Sequence, residues 1–206
     1  MSIVTELRRL PGCVRVFFDS GEEIRIPSPL FRQFRVQVGE AIDPERWRQA
    51  WSDQSYASAM ERAAALLSVR DATEQETAQR LLQSGYPEKT VARVMETLTQ
   101  AGYVDDSRYA GHFVESRAQR YGSRRLYAEL RRKGVSEEVA REALSERSDE
   151  DESDSAQRIA GKLLARKDVS DPDVLRRAVQ QLVRRGFSWD AAKAAVEAVS
   201  GNEADE

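Results

Sequence analysis

Leu130-Arg131-Arg132-Lys133-Gly134-Val135-Ser136 closes one amphipathic run and opens another, and the same pattern returns at Leu81, Gly85, Tyr86, Pro87 and at Leu182, Gly186, Phe187, Ser188. In every copy a leucine is followed four residues later by glycine, then a bulky apolar residue, then Ser or Pro. Glycine just past a helix end adopts the left-handed conformation at little cost, the apolar residue folds back onto the last turn, and Ser or Pro starts the next helix. Each copy therefore predicts a helix-turn-helix corner. The glycines lie 49 and 52 residues apart, so the chain reads as tandem units and not as one fold around a single pocket.

Working outward, an apolar pair precedes each corner: Leu66 and Leu67, Phe113 and Val114, Leu163 and Leu164. After each corner comes one helical stripe: Val91, Val94 and Met95; Val139, Ala143 and Leu144; Ala191, Ala192, Ala195 and Val196. The expected helices cover 56–69, 74–84, 88–101, 106–120, 124–133, 137–147, 155–166, a run to Arg185 opened by Asp171-Pro172, and a run after Ser188. Nine helices fit three units of three, bounded at 56–103, 104–148 and 155–199. The predicted fold class is mainly α, with three tandem three-helix repeats in an elongated array preceded by a small α+β module. That module, 1–52, carries a β-hairpin: Cys13–Phe18 and Glu23–Ile26 alternate about Asp19-Ser20-Gly21-Glu22. Phe34 to Ile42 is expected to add a short strand, and Asp43-Pro44 to start a helix that puts Trp47 and Trp51 on one face. Those tryptophans read as packing residues, with stacking on a nucleobase as the alternative.

Composition excludes several classes. With 206 residues, 40% apolar and 33% charged, the chain is ordinary for a helix-rich protein, and no run approaches membrane-span length. The absence of a signal-peptide core places it, by expectation, in the cytoplasm. One cysteine, Cys13, rules out an internal disulfide framework and a cysteine-based zinc site. No phosphate-binding G-x-x-x-x-G-K loop, nucleophile elbow or H-E-x-x-H occurs, so neither catalytic residues, metal nor cofactor are expected. His112, between Tyr109 and Phe113, reads as a core or boundary residue. Asp105 and Asp106 alone make a weak cation site.

The net charge of −3 conceals a segregated distribution. Between Ser107 and Gly134, eight basic residues, Arg108, Arg117, Arg120, Arg124, Arg125, Arg131, Arg132 and Lys133, face only Glu115 and Glu129. Immediately afterwards comes the acidic run 149–154, read as a flexible joint, and the chain ends in an acidic tail, 200–206. A basic block inside an acidic chain points to a polyanionic partner, with nucleic acid first. Arg124 and Arg125 recur as Arg131 and Arg132, and Arg176 and Arg177 recur as Arg184 and Arg185. Two helical turns, about 10.5 Å, separate the members, so each helix presents a basic face opposite its apolar one. The corresponding helix of the first unit has only Arg80 with Glu74 and Glu76, which concentrates the expected contact in units two and three.

Gly102-Tyr103-Val104-Asp105-Asp106-Ser107-Arg108-Tyr109-Ala110, followed by Arg117, Gly122, Arg125-Leu126, Glu129-Leu130 and Lys133-Gly134-Val135, resembles the signature of the RecX family, regulators of the RecA recombinase. The same stretch also reads as a structural joint, with Gly102 closing one helix and Asp105 or Asp106 capping the next. The resemblance covers 56 to about 199 and is densest in the middle unit; the hairpin module is similar to an extension found in only some members. It implies three-helix units lying in the groove of the helical RecA–DNA filament, inhibiting recombinase, ATPase and coprotease activity and so modulating recombination, DNA repair and the SOS response. The implied partners are the RecA filament and single- and double-stranded DNA, bound weakly to moderately in a salt-dependent way by a monomer. The alternatives are a helix-turn-helix DNA-binding protein and a purely protein-binding helical adaptor.

Overall fold

A computed structural model describes residues 1–52 and 54–203. Its described residues form four strands and eleven helices in two compact units, Met1–Asp105 and Asp106–Glu206. The first unit holds β1 (Ser2–Leu10), β2 (Cys13–Phe18), β3 (Glu23–Pro27), α1 (Ser28–Phe34), β4 (Ala41–Ile42), α2 (Pro44–Ser52), α3 (Ser55–Leu67), α4 (Glu74–Gln83) and α5 (Glu88–Gln100). The second holds α6 (Asp106–Arg117), α7 (Ser123–Arg132), α8 (Glu137–Ser145), α9 (Asp149–Leu164), α10 (Pro172–Arg184) and α11 (Trp189–Glu203).

The strands form one antiparallel sheet in the order β3-β2-β1-β4. Val4, Val14, Val16, Phe18, Ile24 and Ile26 are buried, as alternation about the turn requires. The sheet is larger than the expected hairpin. β1 escapes a pattern search because only Val4 and the half-buried Leu7 face the core along Ser2–Leu10, and a bulge between Val4 and Glu6 breaks the alternation. Where a strand over Phe34 to Ile42 was expected, α1 occupies the approach, started by Pro29 in its first turn and stopped by Arg35 at φ 47°. Only Ala41–Ile42 pairs, opposite Ser2 and Ile3. α2 begins as read, with Asp43 Oδ1 accepting from Glu45 N–H at 3.1 Å. Trp47 stands edge-on to Phe18 and Phe34, each at 6.4 Å, so it packs.

The hairpin module is not separable from the first repeat. Val16, Trp47, Ala63, Leu81, Tyr86 and Val94 belong to one buried cluster, and the Gly85 corner lies directly on the sheet. A Cβ built on Gly85 would stand 3.3 Å from Cys13 Cβ and from the Ile26 carbonyl carbon. The boundary expected after residue 52 is thus replaced by a continuous core through Val104.

The three corners have one construction. Gly85, Gly134 and Gly186 take φ of 88°, 91° and 93°. The following N–H, of Tyr86, Val135 or Phe187, reaches back to the carbonyl of Leu81, Leu130 or Leu182 at 3.3, 3.2 and 3.3 Å. Each glycine N–H closes the second bond of the same motif, onto Leu82, Arg131 or Val183. The leucines are wholly buried and the apolar partners nearly so, which explains the residue types of the repeat. Each buried leucine contributes roughly 1.5–3 kcal/mol. Gly102 repeats the device at the end of α5, and Val104 turns into the first core.

One expectation in the second unit is overturned. The acidic run 149–154 forms the first turns of α9 and not a joint. Ser148 Oγ accepts from Asp151 N–H at 3.0 Å, and Asp149, Glu150, Asp151 and Glu152 fill the first turn, where carboxylates offset the positive end of the helix dipole. At the other end, α11 runs to Glu203, so the tail expected from 200 begins inside a helix; 204–206 lie outside the described residues.

Candidate functional site

Glycine at two positions decides the geometry of the basic surface. Gly122, just before α7, and Gly186, just after α10, meet so closely that a Cβ on Gly122 would lie 2.4 Å from the Gly186 carbonyl. A Cβ on Gly186 would lie 2.3 Å from Arg125 Cβ. Backbone bonds lock the contact: Gly122 N–H donates to Arg185 O at 3.0 Å and Arg124 N–H to Gly186 O at 3.2 Å. The N-terminal end of α7 therefore abuts the C-terminal end of α10, and Arg124 and Arg125 come together with Arg184 and Arg185.

The remaining sequence candidates are spread along these helices. Arg131, Arg132 and Lys133 lie at the far end of α7, and Arg176 and Arg177 at the far end of α10, each about 10 Å or more from the junction at 1.5 Å per residue. Arg117 and Arg120 belong to the end of α6 and its connection to α7. The arginines also differ in how far they are committed. Arg125 pairs with Glu129 at 2.9 Å and lies over the Tyr121 ring at 4.1 Å, Arg117 lies 4.1 Å over Phe113, and Lys133 lies 5.8 Å from Tyr109. Arg131 donates to Val135 O at 2.5 Å, Arg176 pairs with Asp173 at 3.1 Å, and Arg177 Nε donates to Asp173 O at 2.9 Å. Arg120, Arg124, Arg132 and Arg184 are exposed, and among the described residues they have no ion-pair partner. These four are the cations most available to an anion.

The junction is braced by Arg147 and Glu152, neither of them a candidate site residue in the sequence. Arg147 keeps only 4% of its side chain exposed; its Nη1 donates to Tyr121 O at 3.1 Å and its Nη2 to Ala118 O at 2.9 Å. Burial pushes its pKa down, and Glu152, 3.4 Å away, together with Asp151, pulls it back up. Glu152 in turn accepts from Ser123 N–H at 3.0 Å and from the Ser123 hydroxyl, so a carboxylate of α9 caps the N-terminus of α7. The signal for Glu152 was hidden because the acidic run 149–154 reads as a flexible joint, with nothing local to single out one carboxylate.

Other candidates sort plainly. Cys13 is buried in β2, a packing position. His112, expected at a core or boundary position, is exposed instead, because Ala110, Phe113 and Val114 take the buried face of α6. Trp189, unremarked in the sequence, is 55% exposed at the first position of α11. Its spacing, three residues before Ala192 and seven before Val196, continues the buried stripe, so the sequence carried no sign of its exposure. Among the described residues no helix is long and apolar enough to cross a membrane.

Two family models match the chain: "RecX, first three-helix domain" over 59–98 and "RecX, second three-helix domain" over 105–144. A protein of Mycobacterium sp. (strain KMS) named "Regulatory protein RecX" is 41% identical over 134 residues, spanning 62% of this chain and 73% of that one. Another of the same name, from Clostridium perfringens (strain 13 / Type A), is 25% identical over 193 residues, spanning 92% and 91%. Among solved structures, a regulatory protein RecX superposes with a TM-score of 0.64 at 22% identity over 98% of this chain and all of that one. RecX from Lactobacillus salivarius gives 0.66 at 20% identity over 71% of this chain and 97% of that one. At these identities the structures speak to the fold.

Proposed function

Because the chain belongs to the RecX family, we propose that it regulates the RecA recombinase by binding the RecA–DNA filament and restraining its recombinase, ATPase and coprotease activities. The observation that supports the reading is the Gly122–Gly186 contact, which brings the end of α7 that carries Arg124 and Arg125 against the end of α10 that carries Arg184 and Arg185. Guanidinium groups without carboxylate partners suit phosphate oxygens, because neutralising a strand releases condensed counterions while costing no existing ion pair. Arg124 and Arg184 flank the junction, and Arg120 and Arg132 extend the surface along the α6–α7 connection and α7. No step of this action needs a reacting side chain: occupancy of the filament is enough to oppose growth and strand exchange.

The test uses the triple variant Arg124→Ala, Arg132→Ala, Arg184→Ala, which leaves Leu126, Leu130 and Leu182 in the core. Folding should be unchanged by circular dichroism. The slope of log affinity for single-stranded DNA against log salt should become shallower by up to about 2, at roughly 0.7 per lost phosphate contact. Inhibition of RecA-dependent ATP hydrolysis should weaken in parallel. Full inhibition with the original salt slope would show that this surface does not meet the filament.

A further inference from the structure

The corner that opens α11 departs from its two counterparts at one position. The first helical residue after the corner is Glu88 in α5 and Glu137 in α8, an exposed carboxylate in each, as the helix dipole favours. In α11 that residue is Trp189, and the acid has moved one place on, to Asp190. The residue is not drawn into the core. Trp189 is 55% exposed, whereas Trp47 and Trp51 are 9% and 3% exposed, and the buried stripe of α11 is complete without it.

Its surroundings are cationic. Arg184 and Arg185 lie just across the tight turn formed by Gly186, Phe187 and Ser188. Arg124 is tied to the same turn through its N–H bond to Gly186 O at 3.2 Å. Lys193 follows one helical turn after Trp189 on the same face, with Glu197 3.6 Å from its ammonium. A rigid indole presented to solvent beside arginines that, among the described residues, lack carboxylate partners is the pairing that sequence-tolerant single-strand binders use: cations track the phosphates and an aromatic face receives an unstacked base.

We propose that Trp189 is a stacking platform for one base of a single-stranded nucleic acid whose phosphates lie on Arg124 and Arg184. This deepens the reading of the basic surface and rests on it. Duplex DNA keeps its bases stacked inside, so the platform gives the surface a preference for single strands that arginines alone do not supply. Because every base has a π face, the preference is for strandedness and not for sequence.

Trp189 also provides its own readout, since the other two tryptophans are buried in the first unit. The full-length protein is titrated with an oligodeoxythymidylate, with an abasic sugar-phosphate strand of equal length, and with a duplex, following tryptophan emission and affinity across a salt series. The base-bearing single strand should quench the exposed emission. The abasic strand and the duplex should bind without quenching, and Trp189→Phe should abolish the quench. Trp189→Ala should bind the oligothymidylate roughly 5- to 150-fold more weakly, with an unchanged salt slope because no phosphate contact is lost. Trp189→Tyr should restore much of the affinity, which a merely structural role would not predict. Equal affinity of Trp189→Ala for the oligothymidylate, or equal quenching by the abasic strand, would overturn the stacking platform while leaving the arginine surface standing. Quenching by RecA filaments alone, with none by free strands, would assign Trp189 to a protein contact and overturn it likewise. Failure to bind any strand at low salt would remove both readings.

Discussion

Replacing Gly186 with Ala tests the packing on which the basic surface depends. Two costs add at this position. The backbone sits at φ 93°, where an L side chain is strained by roughly 1–2 kcal/mol. The new Cβ would also stand 2.3 Å from Arg125 Cβ and 2.5 Å from Arg125 N, an overlap with the body of α7 that no rotamer relieves. Overpacking of this kind costs about 1–3 kcal/mol, so the sum is about 2–5 kcal/mol. Two controls separate the contributions. Gly122 has φ −76° and ψ 161°, open to any residue, so Gly122→Ala carries only the overlap at 2.4 Å, about 1–3 kcal/mol. Gly102 has φ 71° with nothing within 4 Å of its missing Cβ, so Gly102→Ala carries only the strain, roughly 1–2 kcal/mol. Urea denaturation followed by helical circular dichroism measures all three, and Trp47 and Trp51 emission in a Trp189→Phe background follows the first unit alone. Gly186→Ala and Gly122→Ala should shift the dichroism transition of the second unit and leave the buried tryptophan emission in place; Gly102→Ala should move the emission. Both second-unit variants should also bind single strands more weakly, because the overlap pushes Arg124 away from Arg184. A Gly186→Ala variant no less stable than Gly102→Ala would refute the close contact.

Two further outcomes follow from single side chains. The Tyr86 phenol is buried, with its hydroxyl donating to Ser58 O at 3.0 Å, and desolvation raises its pKa above the ordinary 10.0. The folded state therefore holds this proton more tightly than the unfolded one, so its contribution is complete below about pH 10 and is lost as pH rises through the raised value. Urea midpoints of the first unit should fall from pH 10 upward, and Tyr86→Phe should flatten that fall while costing about 0.5–1.5 kcal/mol at neutral pH; an identical alkaline slope in the variant would show that Tyr86 is not the titrating group. Glu152→Ala removes the cap from α7 and the carboxylate from buried Arg147, and should destabilise the second unit by about 1–3 kcal/mol. Unchanged stability would show that the Glu152 contacts to Ser123 and Arg147 add nothing to folding.

The sequence was most legible where local chemistry and tertiary packing demand the same residue. At Leu81, Gly85 and Tyr86 the cap needs a glycine, the turn needs an apolar partner, and the core needs both leucine and aromatic, so a short pattern carries the corner in all three repeats. The nine repeat helices were legible for the same reason. Legibility failed where a residue answers to a distant partner. Glu152 is one carboxylate among five in its neighbourhood, and nothing local separates the one that caps α7 from those that meet water. Gly122 and Gly186 each have an adequate local explanation, as a helix start or stop, which conceals the tight contact: a Cβ on Gly122 would meet the Gly186 backbone, and one on Gly186 would meet Arg125. β1 shows too little alternation to be read alone, yet it is the strand between β2 and β4. The arginines fall between these cases: their doubling was visible, but commitment to Glu129, Tyr121 or Asp173 was not, and it is commitment that separates a cation free to meet phosphate from one already satisfied. Trp189 is the converse. The buried stripe of α11 is complete without it, and a large apolar side chain left more than half exposed near Arg124 and Arg184, which among the described residues have no ion-pair partner, is informative for that reason.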